Sequence, residues 1–193
     1  MEINAAKDRE MSGEIEFQCF IDKSVKDAFT SIIGFFYNYG FVINGDCSGY
    51  YYKDEFQFQN WKSMVDIIEF FDAISSGDFC VNLTYMHMDY KKTCSISITL
   101  SFEVSVVSIK INEDLFIDVD EVVFLGERLR WFVDLCEKAL QKLDIKFWLI
   151  GQSEIDATKH EIFIPCDSNK KYPSEEIDKI INWYNNQYLT RWD

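Results

Sequence analysis

Two runs of strict alternation, close together in the chain, constrain this fold more than any other feature. Phe79, Val81, Leu83, Tyr85 and His87 occupy every second position, and so do Cys94, Ile96, Ile98, Leu100, Phe102, Val104 and Val106. A period of two is the period of a β-strand, whose successive side chains leave on opposite faces. A connection at Asp89–Lys92 predicts a hairpin with Phe79 opposite Phe102, Leu83 opposite Ile98 and His87 opposite Cys94. That register gathers the apolar residues on one face and Asn82, Thr84, Ser97, Thr99 and Ser101 on the other. A sheet with one dry face needs a covering layer, and the rest of the sequence supplies helices for it.

Val25, Ala28, Phe29, Ile32, Ile33 and Phe36 recur at spacings of three and four, opened by Ser24 with Asp27 and closed by Gly40. This is an amphipathic helix with a cap at each end. Asn60 is positioned to cap a second helix, with Met64, Ile67, Ile68, Phe71 and Ile74 inward and Gly77 beyond its end. Asp118 and Glu121 have capping-box spacing ahead of a long seam: Val122, Leu125, Leu129, Phe132, Cys136, Leu140 and Leu143. Ser174 opens a last helix through Ile177, Ile180, Ile181 and Tyr184.

Further strands are predicted at residues 15–21, from Ile15, Phe17, Cys19 and Ile21, and at Phe41–Ile43. Tyr50–Phe58 reads as a second hairpin around Lys53, Asp54 and Glu55, and Ile145–Ile150 as a strand paired with Glu161–Ile164. The fold class is therefore α+β: a mostly antiparallel sheet around a long central hairpin, with about four helices packed on one or both faces. Two β–α–β stretches, residues 14–45 and 94–150, leave room for a duplicated unit. Residues 1–13 are expected to form a flexible tail and 14–193 a single domain, in which a polar loop over 165–173, bracketed by Pro165 and Pro173, leads to the last helix.

The chain of 193 residues is 48% hydrophobic and 17% aromatic, enough for a packed core and too apolar for disorder. No apolar run resembles a signal peptide or a membrane span. Six cysteines are scattered with no CxxC, which suits a reduced, cytoplasmic setting. Frequent Ile, Lys, Asn and Asp suit an AT-rich bacterial genome.

Recognisable chemistry is scarce. No GxSxG elbow, P-loop or GxGxxG fingerprint occurs, and the chain has only eight glycines. His87 opposite Cys94 is the one Cys–His pair the hairpin register would join, and on a predicted core face it reads as a buried histidine beside a buried thiol. Met86, His87 and Met88 cannot share a copper ion, because alternation sends His87 to the other face. The acids Glu113, Asp114, Asp118, Asp120 and Glu121 have the right character for a helix N-terminus but no calcium-loop spacing. Arg128, Arg130, Lys138, Lys142 and Lys146 are interleaved with Asp134, Glu137 and Asp144, a solvated helix face rather than a nucleic-acid surface. No catalytic residue, metal or cofactor is expected, and neither nucleic acid nor membrane as partner.

Charge and spare aromatics point elsewhere. The net charge is −14, and between Ser63 and Glu127 twelve acids face three lysines. Tyr50, Tyr51, Tyr52 and Trp61 fall off the predicted core stripes, as do Phe70 and Trp131. Aromatic anchors rimmed by acids suit a protein-binding surface. The expected partner-binding residues are Tyr50, Tyr51, Tyr52, Trp61, Asp66, Glu69, Asp72, Asp78 and Asp114, and the expected partner is a basic protein. Small acidic immunity proteins, which block cationic bacterial toxins, are one class with these properties. An enzyme with a dispersed carboxylate site and an oligomerising subunit built on the helix from Val122 to Leu143 are the alternatives.

Overall fold

The computed structural model describes residues 14–21, 24–45, 48–88, 92–103, 105–118, 123–141, 143, 145–152, 164–167, 175, 177–182 and 186. Along the chain, β1 (Glu14–Ile21) leads through α1 (Val25–Tyr39) to β2 (Val42–Ile43), and β3 (Gly49–Tyr52) turns into β4 (Phe56–Gln59). Next come α2 (Met64–Ala73), β5 (Asp78–His87), β6 (Lys92–Ser101) and β7 (Val106–Asn112). A 3-10 turn over Glu113–Phe116 precedes β8 (Ile117–Asp118), β9 (Val123–Phe124), α3 (Gly126–Leu140), β10 (Ile145–Gln152) and β11 (Ile164–Asp167). Residues 177–182 are helical.

Nine strands form one antiparallel sheet in the order β11-β10-β1-β7-β6-β5-β3-β4, with β2 also pairing to β5. The free side of β5 is shared: β3 pairs with its first half and β2 with Leu83 and Thr84. Asn82 bridges the gap, donating to the Ser48 carbonyl and accepting from the Asn44 amide. The protein is thus α+β, as expected.

Its core lies between one face of this sheet and the helices. From the sheet come Ile15, Phe17, Cys19, Phe79, Val81, Leu83, Ile96, Ile98, Leu100, Val107, Ile109 and Ile111. From the helices come Phe29, Ile32 and Phe36 of α1, Ile67 and Phe71 of α2, and Leu129, Phe132 and Cys136 of α3. Each fully buried ring or branched side chain contributes about 1.5–3 kcal/mol of transfer free energy.

Local signals explain the helices. Ser24 Oγ accepts from the Asp27 amide at 3.3 Å, and Gly40 at φ 116° ends α1 by donating to the Phe36 and Tyr37 carbonyls. Glycine enters that left-handed region without a Cβ penalty. The α2 cap sits three residues later than expected. Ser63, not Asn60, accepts from the Asp66 amide, and the Asp66 carboxylate accepts in return from the Ser63 and Lys62 amides, both at 3.0 Å. Later capping turns the helix, so Phe70 packs inward while Ile68 stands 38% exposed. Lys26 closes the other end, donating to the Phe71 and Asp72 carbonyls at 3.1 Å, where a cation offsets the negative helix terminus.

The alternating runs pair with the expected faces but a different register. Phe79 lies opposite Leu100, Leu83 opposite Ile96, Tyr85 opposite Cys94 and His87 opposite Lys92, a shift of two residues from the predicted pairing. A shift of two preserves which side each residue faces, so hydrophobic pattern alone cannot distinguish the two registers. The second run is not one strand. It stops at Ser101, turns through Ser105 at φ 54° and resumes as β7. Phe102 therefore packs in the turn against Phe71 instead of sitting in the ladder.

Asp118 and Glu121 do not open the long helix. Asp118 belongs to the β8–β9 ribbon, paired with Val123, and α3 begins at Gly126 after a Leu125 cap that makes no side-chain hydrogen bond. Similarly, Pro165 is not in a loop: it sits inside β11, opposite Leu149 of β10. An edge strand is where a residue lacking an N–H is tolerated. The two β–α–β stretches connect differently, β1 to β2 across three strands and β7 to β10 across one, so the topology lends the duplication no support. The tail 1–13, residues 168–173 of the expected loop, Ser174 and Tyr184 of the last helix, and residues 161–163 of the expected strand lie outside the described residues.

Candidate partner-binding surface

The β3–β4 hairpin is short and aromatic. Tyr50 pairs with Phe58, Tyr51 with Gln57 and Tyr52 with Phe56 around the exposed turn Lys53, Asp54 and Glu55. Alternation puts Tyr50, Tyr52, Phe56 and Phe58 on the face turned away from the helices. Tyr50 and Phe56 rings stack at 4.8 Å, Phe56 and Phe58 meet edge-on at 4.8 Å, and Tyr52 lies 6.4 Å from Phe56. Phe58 is 76% exposed, Phe56 52% and Tyr52 45%. Three large rings this open, touching one another, form an apolar patch rather than scattered surface residues.

Tyr50 sits at the inner margin of the patch, over Cys80 of β5. Partial burial pushes its phenol above the ordinary value, the neighbouring Cys80 and Asp78 push the same way, and a hydrogen bond with Thr99 opposes them. Asp78 lies opposite Tyr52, so it faces the same side. Exposed Asp54 and Glu55 in the turn, and exposed Glu103 in the loop after β6, add carboxylates at this end of the sheet. The Phe102 amide in that loop donates to the Gly77 carbonyl, which brings it beside the start of β5.

Tyr51 and Trp61 point the other way. The Tyr51 hydroxyl donates to the Ser76 carbonyl at 3.0 Å and its ring packs edge-on against Phe70. Trp61 is only 7% exposed, packed between Phe70 and Phe79, with its amide donating to Ser48 Oγ. A Cβ on Gly49 would lie 2.6 Å from the Trp61 ring and 2.0 Å from the Cys80 carbonyl, so glycine is what allows this close packing. Trp61 is a core residue, and its place off the predicted stripes reflects the late start of α2.

The expected acids are dispersed. Asp66 is occupied by the α2 cap. Glu69 and Asp72 are exposed on α2, in the helical layer and so across the sheet from the patch. Asp114 lies in the 3-10 turn, and its side chain is outside the described set. Of the nine expected residues, the structure brings Tyr50, Tyr52 and Asp78 together. Phe56 and Phe58 were missed, although their alternation with Gln57 and Gln59 was a legible signal.

The other candidate chemistry resolves into packing. The His87 ring is buried edge-on against Trp131 at 4.7 Å, while Met86 and Met88 are exposed on either side of it in sequence. Burial pushes the Cys94 thiol up to about 11, partly offset by Arg128, and pushes Cys19 up to about 12 and Cys136 well above its usual value. At neutral pH these thiols are protonated and poor nucleophiles. On α3, Lys138 pairs with Asp134 and Arg130 with Asp178, while Arg128 donates to the Leu115 carbonyl at 2.7 Å. Among the described residues no group of three or more His, Cys, Asp or Glu is placed to hold a metal, and no helix is long and apolar enough to cross a membrane.

No family model, curated protein or solved structure matches this chain.

Proposed function

We propose that this chain is a non-catalytic, acidic binding protein that neutralises or regulates a basic protein partner, and that the partner is a cognate bacterial toxin. The observation that carries the reading is the contiguous ring cluster Tyr52, Phe56 and Phe58 on the open face of the β3–β4 hairpin, beside the carboxylates of Asp54, Glu55 and Asp78. A net charge of −14 steers a cationic protein toward the surface and raises the association rate. The rings then supply apolar anchors that are buried only in the complex. The surface so defined differs from the one expected from sequence: Trp61 and Tyr51 leave it, and Phe56 and Phe58 join it.

The test is capture of the partner followed by affinity measurements on variants. Phe58→Ala should weaken binding about tenfold or more, as truncation of an interface anchor does. Asp78→Lys should lower the association rate and flatten its salt dependence. Unchanged affinity in both variants would sink the reading.

A further inference from the structure

Among the described residues, the two edges of the large sheet are built differently. At one end, β11 carries Pro165, which has no N–H to offer a further strand. At the other end, β4 reads Phe56, Gln57, Phe58, Gln59 and contains no proline, no lysine and no charge. Among the described residues it pairs with β3 alone. Proline and charge, two of the devices that protect an edge strand from pairing with another chain, are missing from this one, and its protection rests on its four-residue length. One carbonyl of the strand is engaged, since Ser48 Oγ donates to Gln59 O at 2.8 Å. The adjoining turn is exposed and contributes Asp54 and Glu55.

We infer that β4 is a docking edge, onto which an extended segment of the basic partner adds as one more antiparallel or parallel strand. This rests on the functional reading above and specifies its mode. Main-chain hydrogen bonds to β4 would give affinity, and alternate side chains would give specificity. On the open face, apolar side chains of the added strand would lie on Phe56 and Phe58, and cationic ones would reach Asp54 and Glu55 in the adjoining turn, while Asp78, on β5 and about 14 Å away across β3 and β4, would act only through the field. Charge decides between this occupant and a second copy of the chain: two copies of net charge −14 repel, whereas a Lys-bearing strand is attracted.

The probe is a short capped peptide alternating lysine with valine, compared with the same peptide N-methylated on alternate backbone amides and with a glutamate–valine version. Backbone methylation keeps the charge and side chains but removes the edge hydrogen bonds. Titration followed by amide exchange should show protection of backbone amides within residues 56–59 rising about tenfold with the lysine peptide. Methylation should weaken binding by about tenfold, and the glutamate peptide should not bind. Two outcomes would overturn strand addition while leaving the surface reading intact. One is equal binding of methylated and unmethylated peptides, with both weakened by Phe58→Ala. The other is unchanged exchange at residues 56–59 while the captured partner still responds to Phe58→Ala. A concentration-dependent dimer of the chain itself, abolished by Phe58→Lys, would assign the edge to a second copy and also overturn it. Indifference of the captured partner to both Phe58→Ala and Asp78→Lys is the separate result that removes the functional reading.

Discussion

The two faces of the β3–β4 hairpin use the same chemistry for opposite ends. Inward, Tyr51 leans on Phe70, and Trp61 completes a group with Phe70, Phe71 and Phe79 whose ring centroids lie 5–6 Å apart. Outward, one residue away on either side of Tyr51, Tyr50 and Tyr52 join Phe56 and Phe58 in a cluster with no helix above it among the described residues. Residue type does not separate them; strand parity does. An aromatic-rich segment therefore says little about binding until each ring has been assigned to a face.

The comparison can be broken at its inner side first. Phe79→Ala removes a fully buried ring and should cost about 3–5 kcal/mol in denaturant unfolding. A loss near zero would mean that the inner rings are no more committed than the outer ones. Trp61→Ala should behave in the same way, so reduced partner binding in that variant would report lost folding rather than a lost contact.

Second in size is an alkaline effect at the same core. Cys19 is buried on β1 with its thiol pushed up to about 12 from a usual 9.0. The folded state holds the proton more tightly than the unfolded state, so this contribution is fully present below pH 9.0 and is lost as pH rises from there toward 12. Stability should fall in that window by about 1.4 kcal/mol per pH unit more steeply than in Cys19→Ala. Equal slopes in urea titrations at pH 9, 10 and 11 would contradict the burial of the thiol.

Smaller still, Ser63→Ala should cost about 1 kcal/mol by removing the α2 cap. It leaves the outer rings in place, so partner affinity should follow the wild type. The smallest expected change in stability belongs to Phe58→Ala: within about 0.5 kcal/mol, as for an exposed residue. Paired with weakened partner binding, that result would show a ring kept for contact rather than for folding. A loss of several kcal/mol would instead show that the patch is covered in the folded chain.

Much of the architecture was legible where signal and structure share a period. The Ser24–Asp27 start and Gly40 stop marked α1, and the alternation through Ile15, Phe17 and Cys19 marked β1. Other elements were not, each for a physical reason. Apolar alternation fixed the faces of β5 and β6 but not their register, because a two-residue slip changes no side-chain environment in kind. The break at Ser101 was hidden because Phe102, Val104 and Val106 continue the same alternation across a turn. The cap of α2 formed at Ser63 with Asp66 rather than at Asn60, and the Asp118–Glu121 spacing did not open α3, Asp118 being drawn into a ribbon with Val123. For the candidate surface, Tyr50, Tyr52 and Asp78 were foreseen. The exclusion of Trp61 was not, because a cap at Asn60 puts Trp61 in an exposed first turn, whereas the cap at Ser63 leaves it ahead of α2 and buried.

The position of β1 has a consequence for how the chain is made. Residues 14–21 pair on one side with β7 and on the other with β10, so the first strand of the large sheet lies between strands encoded far downstream. At ribosomal speed, Ile145 follows Ile21 by more than a hundred residues, on the order of ten seconds. Until then a strand carrying Ile15, Phe17 and Cys19 has emerged without one of its neighbours, while β5, β6 and β7 can zip as successive hairpins. A late event in building this sheet is therefore expected to be closure of β10 on β1, before β11 can add to β10, a long-range step that is slow and open to association with other nascent chains.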